Sequence, residues 1–388
     1  MYQLCINRSV LYRAVIVIAW IASLAARSEA MEQVTFHRGE KTLEVEGRML
    51  VEAKDGGLLL LGRDGVIWAV QPNELLQRKS DERPFQPFSR EEVSKLVSAG
   101  LPQGFRVHHT THYLIFYDTT SAYAQWCGSL FERLYMAFTN FWVRKGFELS
   151  SPEFPLVAIV FADRNAYLNF SRPELGEAGE TIVGYYGLMS NRITMYDLTG
   201  IESQGQRPPH GRTTAWINHV LSQPNALRTV ATIVHEATHQ IAFNVGLHTR
   251  LSDCPLWVSE GIAVFFETPD LSSTKGWSGL GAVNRPRFER FQQYLAQRPT
   301  DSLETLLRND SRFRDPQQSL DAYAEAWALT YFLLHQRQKQ YCAYLARLRQ
   351  KTPLVEEGEA ARLEEFRREF GDLKALDAEF LRYISRLR

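Results

Sequence analysis

The segment that most constrains this chain is Thr229–Gln240, which contains the pattern H-E-x-x-H at His235, Glu236 and His239. Apolar residues recur around the motif at the spacing of one helix face, which predicts a core helix. In a helix, residues four apart lie on the same face, one turn from each other. Two neutral imidazoles at that spacing can bind one Zn²⁺, and the Glu between them lies beside the open coordination position as a base.

Two histidines supply too few protein ligands for a zinc site, so a third ligand is needed. Glu260 follows His239 with 20 residues between them. It lies in an aromatic and aliphatic segment, Pro255–Glu267, that is expected to be helical. Burying a carboxylate in such a segment is costly unless the carboxylate is paired or bound to a metal. Glu260 is therefore the candidate third ligand.

H-E-x-x-H followed about twenty residues later by W-x-x-E-G-x-A resembles the gluzincin metallopeptidases, including the aminopeptidase N and leukotriene-hydrolase group. The two motifs together are far more specific than either one. The resemblance spans roughly residues 181–334 and implies a thermolysin-like α+β catalytic core with a mixed sheet and a zinc helix. It implies that His235, His239 and Glu260 hold Zn²⁺, and that Glu236 activates a zinc-bound water. The chain is also similar to exported bacterial proteins grouped only as peptidase-like domains of unknown function.

The resemblance implies two further site residues. Glu267 lies seven residues after Glu260 on the same helical face, where it would accept a hydrogen bond from a ligand histidine. Its alternative is a surface Glu near a helix end. Tyr323, 63 residues after Glu260, corresponds in position to the tyrosine that binds the oxyanion in the aminopeptidase group. Its alternative is a core tyrosine, with Tyr331 or His335 serving as the donor.

Gluzincins carry an antiparallel edge strand just ahead of the zinc helix, and peptide substrates pair with it by strand addition. The candidate here is Arg192–Leu198, with Arg192, Ile193, Thr194, Met195 and Tyr196 as the pairing residues. The preceding Gly187–Asn191 faintly resembles the G-x-M-E-N exopeptidase motif, with Ser190 in place of the Glu that binds a free amino terminus. If the correspondence holds, an endopeptidase is favoured over an aminopeptidase. An ordinary strand, turn and strand is the alternative.

Residues 1–30 predict a signal peptide. Arg8 and Arg13 precede a 13-residue apolar stretch, Ala14–Ala26, and Ser28–Ala30 provides small residues for cleavage before Met31. The apolar stretch is short for a membrane span, although an uncleaved N-terminal anchor remains the alternative. The protein is therefore expected to be exported, to the periplasm, the cell envelope or the medium.

The rest of the chain divides by composition. Residues 31–78 predict a small all-β module, either a packing or spacer unit or a binding module. A charged, proline-containing linker and a short helix follow over 79–100. The metallopeptidase core is expected over 101–285 and a helical C-terminal lobe over 286–388.

These features predict an exported zinc-dependent metallopeptidase, an endopeptidase in preference to an aminopeptidase, acting on a peptide or protein. The formal net charge of zero gives no reason to expect nucleic acid or an anionic membrane as a partner. The sequence does not indicate an oligomeric state. One alternative is a catalytically inactive envelope binding protein that retains the fold. Another is a zinc hydrolase of a non-peptide substrate, because a fold does not fix a substrate. The intact Glu236 favours an enzyme.

Overall fold

The computed structural model describes residues 30–199, 213–224, 226–268, 277 and 279–387. The predicted signal peptide lies outside the described residues except for its last residue. The described chain is a mixed α+β protein with a small N-terminal β module and a helical C-terminal region. At this level the predicted fold class is confirmed.

The N-terminal module is a five-stranded antiparallel sheet in the order β4-β3-β2-β1-β5. Its strands are β1 (Ala30–Arg38), β2 (Lys41–Glu52), β3 (Leu58–Gly62), β4 (Ile67–Val70) and β5 (Leu75–Pro84).

Strand β3 is buried on both faces, which explains its run of four leucines. Alternate residues of a strand point to opposite faces. Leu58 and Leu60 pack in the core of the module itself. Leu59 and Leu61 join a second cluster that includes Phe154 and Leu251, so the module packs directly against the rest of the chain.

The charged stretch predicted as a linker is a strand over its first part. Residues 79–84 belong to β5, which pairs with β1 at the edge of the sheet. Charged side chains are common on edge strands, where they face solvent, so composition alone could not separate this strand from a linker. The short helix follows as predicted: α1 (Arg90–Gly100) begins with a capping box formed by Ser89 and Glu92.

The second sheet is mixed and has the order β6-β7-β8-β10-β9. Its strands are β6 (Arg106–His109), β7 (Tyr113–Tyr117), β8 (Leu156–Phe161), β9 (Gly184–Gly187) and β10 (Arg192–Tyr196). Strands β7, β8 and β10 are parallel, and β6 and β9 are antiparallel to their neighbours.

The prediction that Arg192–Tyr196 is the edge strand is wrong. These residues form β10, which pairs with β8 on one side and with β9 on the other, so its backbone groups are occupied on both sides. The edge strand that precedes the helix with H-E-x-x-H, named here the metal-motif helix, is β9. Both strands are short and buried, and burial pattern alone does not decide which of two hairpin strands lies outermost.

Helices pack against the second sheet and build the C-terminal region. In the first part of the chain they are α2 (Ser121–Arg144), α3 (Arg164–Leu175), α4 (Thr214–Leu221), α5 (Leu227–Asn244) and α6 (Leu256–Phe266). The C-terminal region contains α7 (Arg285–Leu295), α8 (Ser302–Arg308), α9 (Ser311–Arg314), α10 (Ser319–Gln336), α11 (Gln338–Leu348), α12 (Glu359–Phe370) and α13 (Leu373–Ile384). Among the described helices, none has the length and apolar character needed to cross a bilayer.

Helices α6 and α10 approach each other closely at Gly261. A Cβ atom there would lie 2.2 Å from Thr330 Oγ1 and 2.8 Å from the Ala326 carbonyl oxygen. Only glycine fits this crossing without moving the helices apart. Since Glu260 immediately precedes Gly261, the close approach also brings this carboxylate against α10.

We expect Gly261→Ala to destabilise the protein by about 1–3 kcal/mol, because the new methyl overpacks the α6–α10 contact. Urea unfolding followed by circular dichroism measures the change. Gly100→Ala is the control, since Gly100 ends a helix and a Cβ there would meet nothing within 4 Å. Equal urea midpoints for Gly261→Ala and the wild type would contradict the close approach of α6 and α10 at Gly261.

Candidate metal centre

Helices α5 and α6 bring the three predicted metal ligands together. Helix α5 carries His235 and His239 on one face, and α6 carries Glu260. All three are buried, and Glu260 is fully shielded from solvent. Within the described parts of the chain, they are the one group of three or more His, Cys, Asp or Glu residues whose ligand atoms lie close enough to hold a metal ion.

The spacing of the three ligand atoms fits a single ion. His235 Nε2 lies 3.1 Å from both His239 Nε2 and Glu260 Oε2, and His239 Nε2 lies 3.4 Å from Glu260 Oε2. Tetrahedral coordination at about 2.0–2.1 Å places neighbouring ligand atoms about 3.3 Å apart. The second oxygen of Glu260, Oε1, is buried with no hydrogen-bond partner. The site could therefore hold a metal ion.

A hydrogen bond from His235 to Glu267 determines how His235 presents its ring. Glu267 Oε1 lies 2.7 Å from His235 Nδ1. An ionised carboxylate only accepts, so Nδ1 carries the proton and Nε2 of the neutral ring keeps its lone pair. That lone pair faces two further acceptor atoms, His239 Nε2 and Glu260 Oε2. A cation among the three atoms would bind all of them and remove the repulsion between their lone pairs.

The electrostatics of His235 also indicate that the site favours a positive charge. Burial lowers the pKa of His235, but hydrogen bonds to Glu260 and Glu267 outweigh burial and raise the pKa to about 10. Without a metal, the buried carboxylates therefore hold a proton on this ring. The pocket is built to stabilise one positive charge at Nε2, whether a proton or a metal ion supplies it.

The two carboxylates of the motifs differ in their surroundings. Burial disfavours the charged form of Glu260, but His239 and His235 lower its pKa to about 2, as suits an anionic ligand. Burial raises the pKa of Glu236, which is outside the triad. The backbone N–H of Tyr186, in edge strand β9, donates to Glu236 Oε2 at 2.9 Å. Glu236 is therefore an oriented carboxylate with raised basicity beside the triad.

Glu267 contacts a residue that the sequence did not indicate. Arg287, at the start of α7, lies 3.3 Å from both carboxylate oxygens of Glu267 through one nitrogen. Burial raises the pKa of Glu267, but Arg287 and His235 hold that pKa below its ordinary value. Glu267 thus stays ionised and accepts from His235, as the sequence predicted. Arg287 lies in another helix, so no local pattern could have indicated it.

Tyr323 lies beside the triad, in α10, with 1% of its surface exposed. The Arg287 guanidinium lies 5.5 Å from the centre of its ring. Burial, reinforced by the negative charge of Glu260, raises the pKa of Tyr323 well above its ordinary value. The two alternative donors, Tyr331 and His335, stack on each other at 4.2 Å between ring centres.

Two polar side chains that the sequence did not indicate join α5 to the sheet and to the loop after β9. Gln240 Nε2 donates to the carbonyl oxygens of Val157 and Asn191, both at 3.0 Å. Asn244, one turn later, exchanges hydrogen bonds with the Asn191 side chain. The available signal was weak: Gln240 is a polar residue on a helix face that is otherwise apolar.

Residues 229–355 match the model of a family described as a protein of unknown function (DUF1570). The matched segment begins inside α5 and contains the triad, Glu236, Glu267 and Tyr323. No curated protein matches this chain.

We expect about one metal ion per chain, with most of it lost in His235→Ala or His239→Ala because two ligands cannot hold it tightly. Elemental analysis of the purified protein measures the content. His112→Ala is the matched control, since His112 also pairs with a glutamate, Glu132, but lies outside the triad. Equal metal content in the wild type and both ligand variants would contradict the site.

Proposed function

We propose that this protein is a zinc-dependent metallopeptidase with a gluzincin-type site. The observation that carries the proposal is the Glu236 carboxylate, oriented beside the His235–His239–Glu260 triad without being part of it. A protein that only stored or sensed a metal would have no use for a second buried carboxylate there. A hydrolase does use such a carboxylate, because it needs a base next to its metal.

Two imidazole nitrogens and one carboxylate oxygen are a donor set typical of catalytic zinc, which keeps a fourth position open for water or substrate. When bound, zinc would lower the pKa of a water towards about 7 and polarise a carbonyl group. His235 and His239 contribute neutral ligands and Glu260 an anionic one. Glu267 would keep the His235 ring in the correct tautomer and orientation.

Glu236 would take a proton from the attacking water and deliver one to the leaving amine. The hydrogen bond from the Tyr186 N–H holds Oε2 and leaves the carboxylate one orientation relative to the triad.

Tyr323 would donate a hydrogen bond to the oxyanion that forms when the peptide carbonyl is attacked. Its raised pKa keeps the phenol protonated at neutral pH, and only the protonated phenol can donate. A donor aimed at a developing charge stabilises the transition state more than the ground state.

A peptide substrate would add to the sheet at β9, which replaces β10 as the candidate strand. Strand addition uses main-chain groups at a sheet edge, and Tyr186 of β9 places that edge next to Glu236. Ser190, in the loop after β9, offers no negative charge to a free amino terminus. We therefore favour an endopeptidase. Export remains part of the proposal and rests on residues 1–30.

The wild type should cleave members of a peptide library, and a chelator should abolish the cleavage. Glu236→Gln should keep its metal but lose turnover by several orders of magnitude, because glutamine cannot accept the proton. Mass spectrometry of the products measures cleavage, and metal analysis of each sample shows whether the variant keeps its metal. A variant that loses metal and activity in equal proportion would show that Glu236 is a ligand and not the base.

If the wild type binds metal but cleaves no peptide, the protein is either a binding protein or a hydrolase of another substrate. Ester and amide substrates without a peptide backbone, tested on the same samples, separate these two alternatives.

Tyr323→Phe should lower kcat by roughly 10²–10³, as the loss of other oxyanion donors does, with little change in KM or in metal content. The matched control is Tyr331→Phe, which removes a hydroxyl from the same helix two turns away. Steady-state kinetics on any cleaved peptide measures both. A fall of less than about threefold in Tyr323→Phe would make Tyr323 a core residue and leave the oxyanion donor to be found elsewhere.

A further inference from the structure

The N-terminal β module contacts the site through the loop that connects β9 to β10. This loop, Leu188–Asn191, directly follows the edge strand that presents the Tyr186 N–H to Glu236. The module meets it with the turn between β3 and β4 and with the first residue of β4. The module contacts the loop and the start of β10 through a backbone hydrogen bond, side-chain packing and an ion pair. Together these contacts define one position of the loop.

Three contacts join the turn of the module to the loop and to β10. The Ile67 N–H donates to the Met189 carbonyl oxygen at 2.8 Å. Asp64 pairs with Arg192, the first residue of β10, at 3.2 Å. Gly65 has a φ of +85°, and a Cβ there would lie 3.0 Å from the Phe154 ring and 3.3 Å from Asn191 Nδ2.

An apolar cluster seals the same interface. Its buried members come from both sides: Leu59, Leu61 and Ile67 from the module, and Phe154 and Leu251 from the body of the protein. Leu188 and Met189 of the loop pack against this cluster. A unit tethered only as a spacer would not need an apolar interface of this kind, since exposed polar surfaces are enough for it.

On its other side, Asn191 contacts the elements of the site. It is buried and has a φ of 59°, a left-handed conformation that asparagine adopts more readily than other non-glycine residues. Its side chain accepts from the Tyr186 hydroxyl at 2.8 Å and from Asn244 at 2.7 Å. Its carbonyl oxygen accepts from Gln240. The same residue therefore touches the module, the edge strand and the metal-motif helix.

We propose that the β module is a positioning element of the active site: its Asp64–Ile67 turn fixes the Leu188–Asn191 loop, and through that loop the substrate edge strand β9. This inference rests on the proposed function for its effect on catalysis, but its structural part does not. With the turn displaced, β9 would lose its register relative to Glu236, and peptides would bind less tightly. The metal would stay, because none of its ligands lies on β9.

The test uses two glycines of the same module. Gly65→Ala and Gly56→Ala both place an alanine at positive φ, near +85° and +90°, so both carry similar backbone strain. Only Gly65 has neighbours, because a Cβ at Gly56 would meet nothing within 4 Å. A difference between the variants therefore reports the contact with Phe154 and Asn191 rather than the general stability of the module.

Hydrogen exchange of the full chain is the first measurement and needs no substrate. We expect the amides of residues 184–192 to exchange at least about tenfold faster in Gly65→Ala than in Gly56→Ala, with the metal content unchanged in both. Equal exchange in this segment would overturn the proposal, whatever the protein hydrolyses.

Steady-state kinetics is the second measurement. For a cleaved peptide, we expect Gly65→Ala to lower kcat/KM about tenfold or more, because β9 binds the substrate backbone and its Tyr186 N–H orients Glu236. Gly56→Ala should match the wild type. Normal kinetics together with faster exchange would overturn the link to catalysis and leave a purely structural contact.

A milder pair of variants covers the case in which Gly65→Ala does not fold. Asp64→Asn removes the charge opposite Arg192 and should speed exchange in residues 184–192 in the same direction. Its control is Glu153→Gln, which removes the partner of Arg48 in another ion pair between the module and the body, at 2.8 Å. The proposal fails if the two variants change exchange in residues 184–192 equally.

Discussion

The structure depends on the hydrogen bond between Glu267 and His235, because it lets several charged groups be buried together. Moving an ion out of water costs several kcal/mol unless partners compensate for the lost hydration. Arg287 and His235 compensate Glu267, and the two histidines compensate Glu260. Each of these groups comes from a different turn or helix. The helices α5, α6 and α7 must therefore meet in one arrangement for any of the charges to be tolerated.

The second sheet fixes the position of helix α5 in that arrangement. Gln240 joins helix α5 to carbonyl oxygens of strand β8 and of the loop after β9, and Asn244 joins it to the same loop. This loop meets the β module on its outer side. The triad, the edge strand and the module are therefore linked through a few polar side chains, of which Asn191 has the most partners.

Local patterns predicted the strands and helices well where the pattern itself determines the structure. The short helix predicted before residue 101 is α1, and the core helix predicted around H-E-x-x-H is α5. The errors concern which strands are neighbours. The residues of β10 were expected at the edge, and the first part of a predicted linker is strand β5. Strand order depends on pairing between distant segments, and short buried strands carry no local signal for it.

By itself, the sequence determined the triad that could hold a metal ion and the separate carboxylate of Glu236. These follow from spacing along two helices and from the cost of placing a carboxylate in an apolar segment, whereas Glu267 as the acceptor for His235 was implied by the family resemblance. Only the tertiary structure decided that Arg287 balances Glu267, that β9 is the outer strand and that the module holds the loop beside it. The physical reason is that these contacts join residues far apart in the chain, whose partners are chosen by packing of the whole molecule.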